Sequence, residues 1–156
     1  MGRARVIAVI GAGDASKAVR KLAYEVGREI ARGGATLING GRTGVMESAA
    51  AGARAANGHT VGILPGDDRA AANRHIEFAI ATGMGEARNA IIVATADAVI
   101  ALEGEGGTLA EIGFAKKMNR PIVALKSWPE IPGLHRAETA AQAVALAFKL
   151  GTRRKG

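Results

Sequence analysis

Four stretches of this chain join glycine to polar side chains beside an apolar run and a helical pattern. They are Gly11-Ala-Gly-Asp-Ala-Ser16, Asn39-Gly-Gly-Arg-Thr-Gly44, Thr82-Gly-Met-Gly-Glu-Ala-Arg88-Asn89 and Glu103-Gly-Glu-Gly-Gly-Thr-Leu-Ala-Glu111. A strand, a glycine turn and a helix start together present backbone N–H groups at the positive end of the helix dipole, where anions bind. The chemistry expected is the holding of a phosphorylated small molecule. Arg42 and Arg88 sharpen the expectation. Each falls within about one turn of a helix start, where a cation is disfavoured by roughly a few tenths of a kcal/mol unless an anion sits beside it. Thr43 can donate a hydrogen bond, and Glu111 can set a carboxylate against the same ligand. The candidate contacts are Gly11, Gly13, Ser16, Gly40, Gly41, Arg42, Thr43, Gly44, Gly83, Met84, Arg88, Gly104, Gly106, Gly107, Thr108 and Glu111.

The same motifs have purely structural readings. Asp14 or Ser16 can cap the first helix. Thr108-Leu-Ala-Glu111 fits the capping box, in which Glu111 returns a hydrogen bond to the backbone N–H of Thr108. Gly11-Ala-Gly13 is half of a dinucleotide fingerprint. The second strand, however, ends in Asn39-Gly40 where a ribose-binding acid would stand, so a standard NAD site is not expected. The chain has no Walker A lysine, no Gly-x-Ser-x-Gly elbow and no His-Glu-x-x-His. Phosphoryl transfer and the common hydrolase triads therefore lack support.

The elements that must position these turns follow from periodicity. Apolar runs predict strands over 5–10, 35–39, 59–64, 76–81, 97–102 and 121–125. Spacings of three and four, with glycine or proline punctuation, predict helices over 16–32, 44–56, 85–96, 108–118 and 138–150. Residues 67–75 and 128–136 read as loop. Strands alternating with helices imply a single Rossmann-like α/β domain over residues 1–156, a doubly wound parallel sheet with helices on both faces. Residues 151–156 read as a basic tail. Ligands of such sheets bind at the carboxyl ends of the strands, where the glycine turns fall.

Composition fits that architecture. The apolar fraction is 48% and aromatics are 3%, so the core is built from Ala, Val, Ile and Leu. There is no Cys, which excludes disulfides and thiolate chemistry, and His59, His75 and His135 have no metal-ligand spacing. No metal site is expected. No apolar stretch approaches the roughly 18 residues of a membrane span. With no room for a signal peptide before the first strand, a cytoplasmic protein is the expectation. The net charge of +7 suits anionic partners. Few aromatics interleave the basic residues, which argues against a single-strand nucleic-acid platform.

Three of the motifs occur together in one order, and over about residues 6–125 the chain resembles the Lonely Guy superfamily, also called lysine decarboxylase-like. Gly40-Gly-Arg-Thr-Gly-Val-Met46 is similar to its Gly-Gly-Gly-x-x-Gly-Leu-Met-Gly. Gly83-Met-Gly-Glu-Ala-Arg88-Asn89 is similar to its Met-x-x-Arg-Lys. Glu103-Gly-Glu-Gly-Gly-Thr-Leu-Ala-Glu111 is similar to its Pro-Gly-Gly-x-Gly-Thr-x-x-Glu. Hydrolases of that family cleave the N-glycosidic bond of nucleoside monophosphates and release ribose 5-phosphate. The resemblance implies Arg88 and Glu111 as catalytic if this chain is a hydrolase.

Four positions depart from the pattern. Glu103 stands for Pro, Glu105 for Gly, Asn89 for Lys and Glu47 for Gly. Carboxylates at an anion site repel phosphate and suit donor-rich groups such as the amino-pyrimidinone edge of a pterin or guanine. With Gly62-Ile-Leu-Pro-Gly-Asp-Asp68, the pattern resembles the branch of molybdenum cofactor carrier proteins, and more distantly the DNA-processing protein A superfamily. The expected function is the binding of a phosphorylated pterin or nucleotide, with no cofactor required. A nucleotide phosphoribohydrolase and a nucleic-acid-binding protein are the alternatives. A homo-oligomer is expected, with the Ala-rich helices 44–56 and 138–150 able to pack closely between copies.

Overall fold

In the first strand Ile7 and Val9 point to one side and Ala8 and Ile10 to the other, and all four are at most 2% exposed. A strand buried on both faces needs helices above and below it, which is the parallel-sheet arrangement. The computed structural model describes residues 2–151. They form one seven-stranded parallel sheet of β1 (Val6–Ile10), β2 (Thr36–Asn39), β3 (Thr60–Leu64), β4 (Phe78–Ala81), β5 (Ala98–Ala101), β6 (Ile122–Leu125) and β7 (His135–Ala137). The order is β4-β3-β2-β1-β5-β6-β7. The helices are α1 (Lys17–Arg32), α2 (Val45–Ala55), α3 (Asn89–Thr95), α4 (Gly106–Lys117) and α5 (Ala140–Gly151). One layer joins α1, α2 and α5 to Ile7, Val9, Leu37, Ile100 and Val123. The other joins α3 and α4 to Ala8, Ile10, Ile38, Val99 and Ala124. This is a Rossmann-like, doubly wound α/β fold. Residues 152–156, most of the expected basic tail, lie outside the described residues.

The α1–α2 pair packs backbone against backbone. A Cβ on Gly27 would stand 1.8 Å from the carbonyl oxygen of Ala49, and one on Gly52 would stand 1.9 Å from that of Tyr24. Two reciprocal glycines thus let α2 lie flush on α1, with Ala49, Ala50 and Ala53 buried between them. The small-residue face of α2 is consumed inside the chain, as is the Ala140, Ala143 and Ala147 face of α5. Ala55 of α2 and Ala141 and Ala145 of α5 stay exposed.

Beside end shifts of one or two residues elsewhere and a 3-10 turn at Arg69–Ala71, three boundaries differ from the periodicity. Residues 85–96 divide into a 3-10 turn, Gly85–Arg88, followed by α3. Residues 135–137, at the end of the expected loop 128–136, are the edge strand β7, with Arg136 donating to the carbonyls of Ser127 and Ile131, both at 2.8 Å. A polar three-residue strand carries no period-two signal, and its pairing is visible only in three dimensions. The third difference is at the start of α4, beside the site.

Candidate functional site

From β1 the chain runs outward through β2 and β3 to β4, then crosses back to add β5 on the other side of β1, so the carboxyl end of β1 is the topological switch point where such sheets open a crevice. A cleft of about 390 Å³ lies there. Ligand pockets of this class run from about 300 to 1,000 Å³, so the space suits a small molecule.

The turns around it are braced into one frame. The Ala12 N–H donates to the Glu103 carbonyl at 2.8 Å, and the Ala12 carbonyl accepts from the N–H of Val45 at 3.0 Å. Thr43 Oγ1 donates to the Gly13 carbonyl at 2.8 Å. Asn39 is fully buried; its Nδ2 donates to the Met46 carbonyl at 2.9 Å and its Oδ1 accepts from the Gly41 N–H at 2.8 Å. Gly44 has φ +66°, and a Cβ on it would stand 2.3 Å from the carbonyl oxygen of Ala12. Its role is therefore to close the turn.

Three of the helix N-termini at this end of the sheet, those of α1, α2 and α4, are not equivalent. Ser16 caps α1 by accepting from the N–H of Val19 at 3.2 Å. The first N–H of α2 is taken by Ala12. At α4 the N-cap is Glu105, which makes no side-chain cap. Among the described residues, the N–H groups of Gly106, Gly107 and Thr108 have no acceptor, and the first to bond is Leu109, to the Glu105 carbonyl at 2.9 Å. The capping box is thereby corrected: α4 begins two residues before Thr108, which lies inside the helix and cannot be its N-cap. Gly104 makes this start possible by lying under Thr108, where a Cβ would stand 2.1 Å from Oγ1.

Two buried ionisable side chains face each other across the floor. Arg88 is 5% exposed and Glu111 7%. Arg88 Nη1 donates to Asn89 Oδ1, and its buried Nε has no partner. Its guanidinium lies over Gly40, where a Cβ would stand 2.9 Å from both Nη atoms. Glu111 makes no hydrogen bond, and no ion pair within 4.0 Å, among the described residues. Burial pushes its pKa up to about 8; Arg88 opposes that rise and Glu86 adds to it. Arg88 is held below its usual value, first by burial and last by Arg42, against the pull of Glu111 and Glu86. At neutral pH Glu111 is therefore mostly a neutral acid, able to donate as well as accept, beside a desolvated cation.

Of the sequence candidates, Gly11, Gly13, Gly40, Arg42, Thr43, Arg88, Gly107, Thr108 and Glu111 line the cleft. Ser16, Gly41, Gly44, Gly83, Met84, Gly104 and Gly106 are not on its lining and shape or flank the turns. Among the acids, Glu105 lines the cleft. Glu103 instead borders a second cavity beside α1, and Glu47 a third beside Tyr24. The departures from the family pattern put three carboxylates, Glu103, Glu105 and Glu47, at the anion site; only Glu105 of them is there. Glu86 and the buried Asn89 join it. The legible signal for Glu86 is its i,i+3 spacing from Asn89, whose Nδ2 donates to Glu86 Oε2 at 3.3 Å.

The SLOG cluster4 family pattern matches residues 4–151. The chain belongs to that family. A molybdenum cofactor binding protein from the phototrophic bacterium Rippkaea orientalis superimposes on it with a TM-score of 0.89 at 34% identity, covering 95% of this chain and 98% of that one. The molybdenum cofactor carrier protein of Chlamydomonas reinhardtii gives 0.87 at 34% identity, over 97% and 100% of the two chains. A cytokinin riboside 5'-monophosphate phosphoribohydrolase of Mycobacterium tuberculosis is 36% identical over 123 residues, 73% of this chain and 66% of that protein. DNA processing protein A of Helicobacter pylori superimposes at 0.75 with 20% identity over 93% of this chain and 80% of that one, a likeness of fold alone. This SLOG cluster4 chain is thus a LOG-like ligand-binding protein with carriers and phosphoribohydrolases among its relatives. Among its described residues no helix is long and apolar enough to cross a membrane.

Proposed function

We propose that this chain holds a phosphorylated pterin or nucleotide in the cleft at the end of β1, in the manner of a molybdenum cofactor carrier, with little or no turnover. The observation that carries the reading is Arg88: a buried guanidinium on the cleft lining whose Nε has no partner, and which has no carboxylate within 4.0 Å, among the described residues. A desolvated cation left without a counter-ion is costly unless an anion arrives with the ligand. The Gly11–Gly13 and Gly40–Thr43 turns flank that anion, and the open N–H groups of α4 are left for electron-rich atoms of the heterocycle. The acids Glu86, Glu105 and Glu111 on the α4 side suit the donor edge of a heterocycle. A pterin cofactor, as cargo, carries both a phosphate and such an edge, so the donor set fits it.

One observation favours a second reading. A buried carboxyl with a pKa of about 8 is the form a general acid takes, and it lies beside an arginine. In a phosphoribohydrolase, Glu111 would stabilise oxocarbenium character on the ribose or protonate the leaving base, and Arg88 would hold the phosphate. Incubation with AMP, GMP and a cytokinin monophosphate, followed by chromatography of the free base, separates the two readings. Thermal stabilisation by nucleotide without free base is the expected result. Free base from wild type and none from Glu111→Gln would establish the hydrolase instead.

The protein is also proposed to be a cytoplasmic homo-oligomer. Phe78 and Ile80 of β4 and Leu109 and Phe114 of α4 are 36–54% exposed on the side of the sheet that carries α3 and α4. Large apolar side chains gathered on one face mark an association surface more often than a solvated one.

A further inference from the structure

Glu86 stands apart from the other acids of the α4 side. Its carboxylate is exposed in the cleft and accepts one bond, from Asn89 Nδ2 at 3.3 Å. No lysine, arginine or histidine comes within 4.0 Å of it among the described residues. Asn89 is neutral and 3% exposed, and its Oδ1 is taken by Arg88 Nη1, so the relay Glu86–Asn89–Arg88 fixes the carboxylate without neutralising it. Glu86 also leans over the start of α4, where a Cβ on Gly107 would stand 3.9 Å from Oε2. Two further observations say that a ligand belongs against this carboxylate. Glu111 is a polar side chain 7% exposed that lines the same cleft with no hydrogen bond and no ion pair within 4.0 Å among the described residues, and the buried Arg88 guanidinium on the same lining has no carboxylate within 4.0 Å among them. Of the two exposed acids on this wall, Glu86 is the one whose charge both buried groups feel; Glu105 acts on neither.

We propose that Glu86 is the specificity-determining residue of the cleft: its carboxylate accepts the paired N–H donors of an amino-pyrimidinone edge and keeps a second anionic group off the α4 N-terminus. The inference rests on the binding reading above and adds to it the orientation of the ligand. The phosphate lies toward Arg88, Arg42 and the Gly11–Gly13 and Gly40–Thr43 turns. The heterocycle lies toward Glu86. A guanine or pterin offers an N–H beside an exocyclic amino group, which matches the two oxygens of one carboxylate. Adenine offers an amino group beside an unprotonated ring nitrogen, so one carboxylate oxygen would face a lone pair.

GMP and AMP share a phosphate and ribose and differ at this edge, so they are the probes, with inorganic phosphate as the third. Calorimetric titration of the full chain is expected to show GMP binding on the order of tenfold to a hundredfold tighter than AMP, the range of a charge-assisted hydrogen-bond pair. In Glu86→Gln, whose amide oxygen still accepts from Asn89, the two nucleotides are expected to come within about threefold of each other and inorganic phosphate to bind more tightly. Equal affinities in wild type, or a GMP preference that survives in Glu86→Gln, would overturn the assignment. Wild type that binds neither nucleotide nor phosphate would sink the binding reading itself, and the inference with it.

Discussion

Glu111 makes the site's electrostatics measurable without knowing the ligand. Its pKa rises from 4.5 to about 8 on folding, chiefly by burial. The folded state therefore holds a proton that the unfolded state has released between those values. Stability must fall as pH rises through that window, because the folded state binds more protons there. Each tenfold difference in proton affinity between the two states is worth roughly 1.4 kcal/mol, so the wild-type penalty grows from about 1 kcal/mol at pH 5 to about 3 at pH 7 and about 5 at pH 9. Glu111→Gln keeps the shape and cannot ionise. Its stability relative to wild type is expected to climb by about 4 kcal/mol between pH 5 and pH 9. Loss of the Glu111–Arg88 attraction adds an offset, but the pH slope belongs to the carboxyl group. Urea titrations of both proteins at pH 5, 7 and 9 read the difference directly. A difference that is flat with pH, or that shrinks toward alkaline pH, would refute the argument that burial dominates over Arg88 at this carboxyl.

Other consequences follow from the packing. Gly27→Ala forces a Cβ to 1.8 Å from the Ala49 carbonyl oxygen, a backbone atom that cannot move alone. A loss of about 2–3 kcal/mol is expected, read as a fall in melting temperature on the order of 4–12 °C. In Gly40→Ala the atoms met are the flexible ends of Arg88 and Met46, at 2.9 and 2.8 Å. Stability should fall by less than about 1 kcal/mol, while affinity for GMP drops about tenfold or more as the guanidinium is displaced. Leu109→Glu or Phe78→Glu is expected to move gel-filtration elution toward the monomer with the fold intact by circular dichroism; unchanged elution from an oligomeric wild type would move the interface elsewhere.

The strand-and-helix plan was legible because its signals are local. Continuous apolar runs such as residues 6–10 and 98–101 can be buried only in a sheet covered on both faces, and the glycine turns sit where those runs end. The reciprocal Gly27 and Gly52 contact was not legible, because each glycine has its reason in the backbone of another helix. β7 was missed because its pairing to β6 is tertiary and its residues are two polar ones and an alanine.

The acids show why a binding site resists reading from a line of residues. Glu103 and Glu105 are two apart, yet one borders the cavity beside α1 and the other the cleft. Neither lies in a regular strand or helix interior, so no period fixes where its side chain goes. The direction is set by the Ala12 N–H, which takes the Glu103 carbonyl, and by Gly104, which lets Thr108 fold down onto the backbone. Glu86 has the opposite history. Its one legible mark, the i,i+3 spacing from Asn89, does not point to the cleft until the 3-10 turn brings it over α4 and Asn89 holds it there. The charge pattern of the cleft is thus decided by turn geometry more than by composition. A net charge of +7 sits on a chain whose ligand cleft carries two arginines, Arg42 and Arg88, against four acids, Asp14, Glu86, Glu105 and Glu111. Attraction of an anion here rests on aimed N–H groups and one desolvated guanidinium, and the acids are left to choose what the anion is attached to.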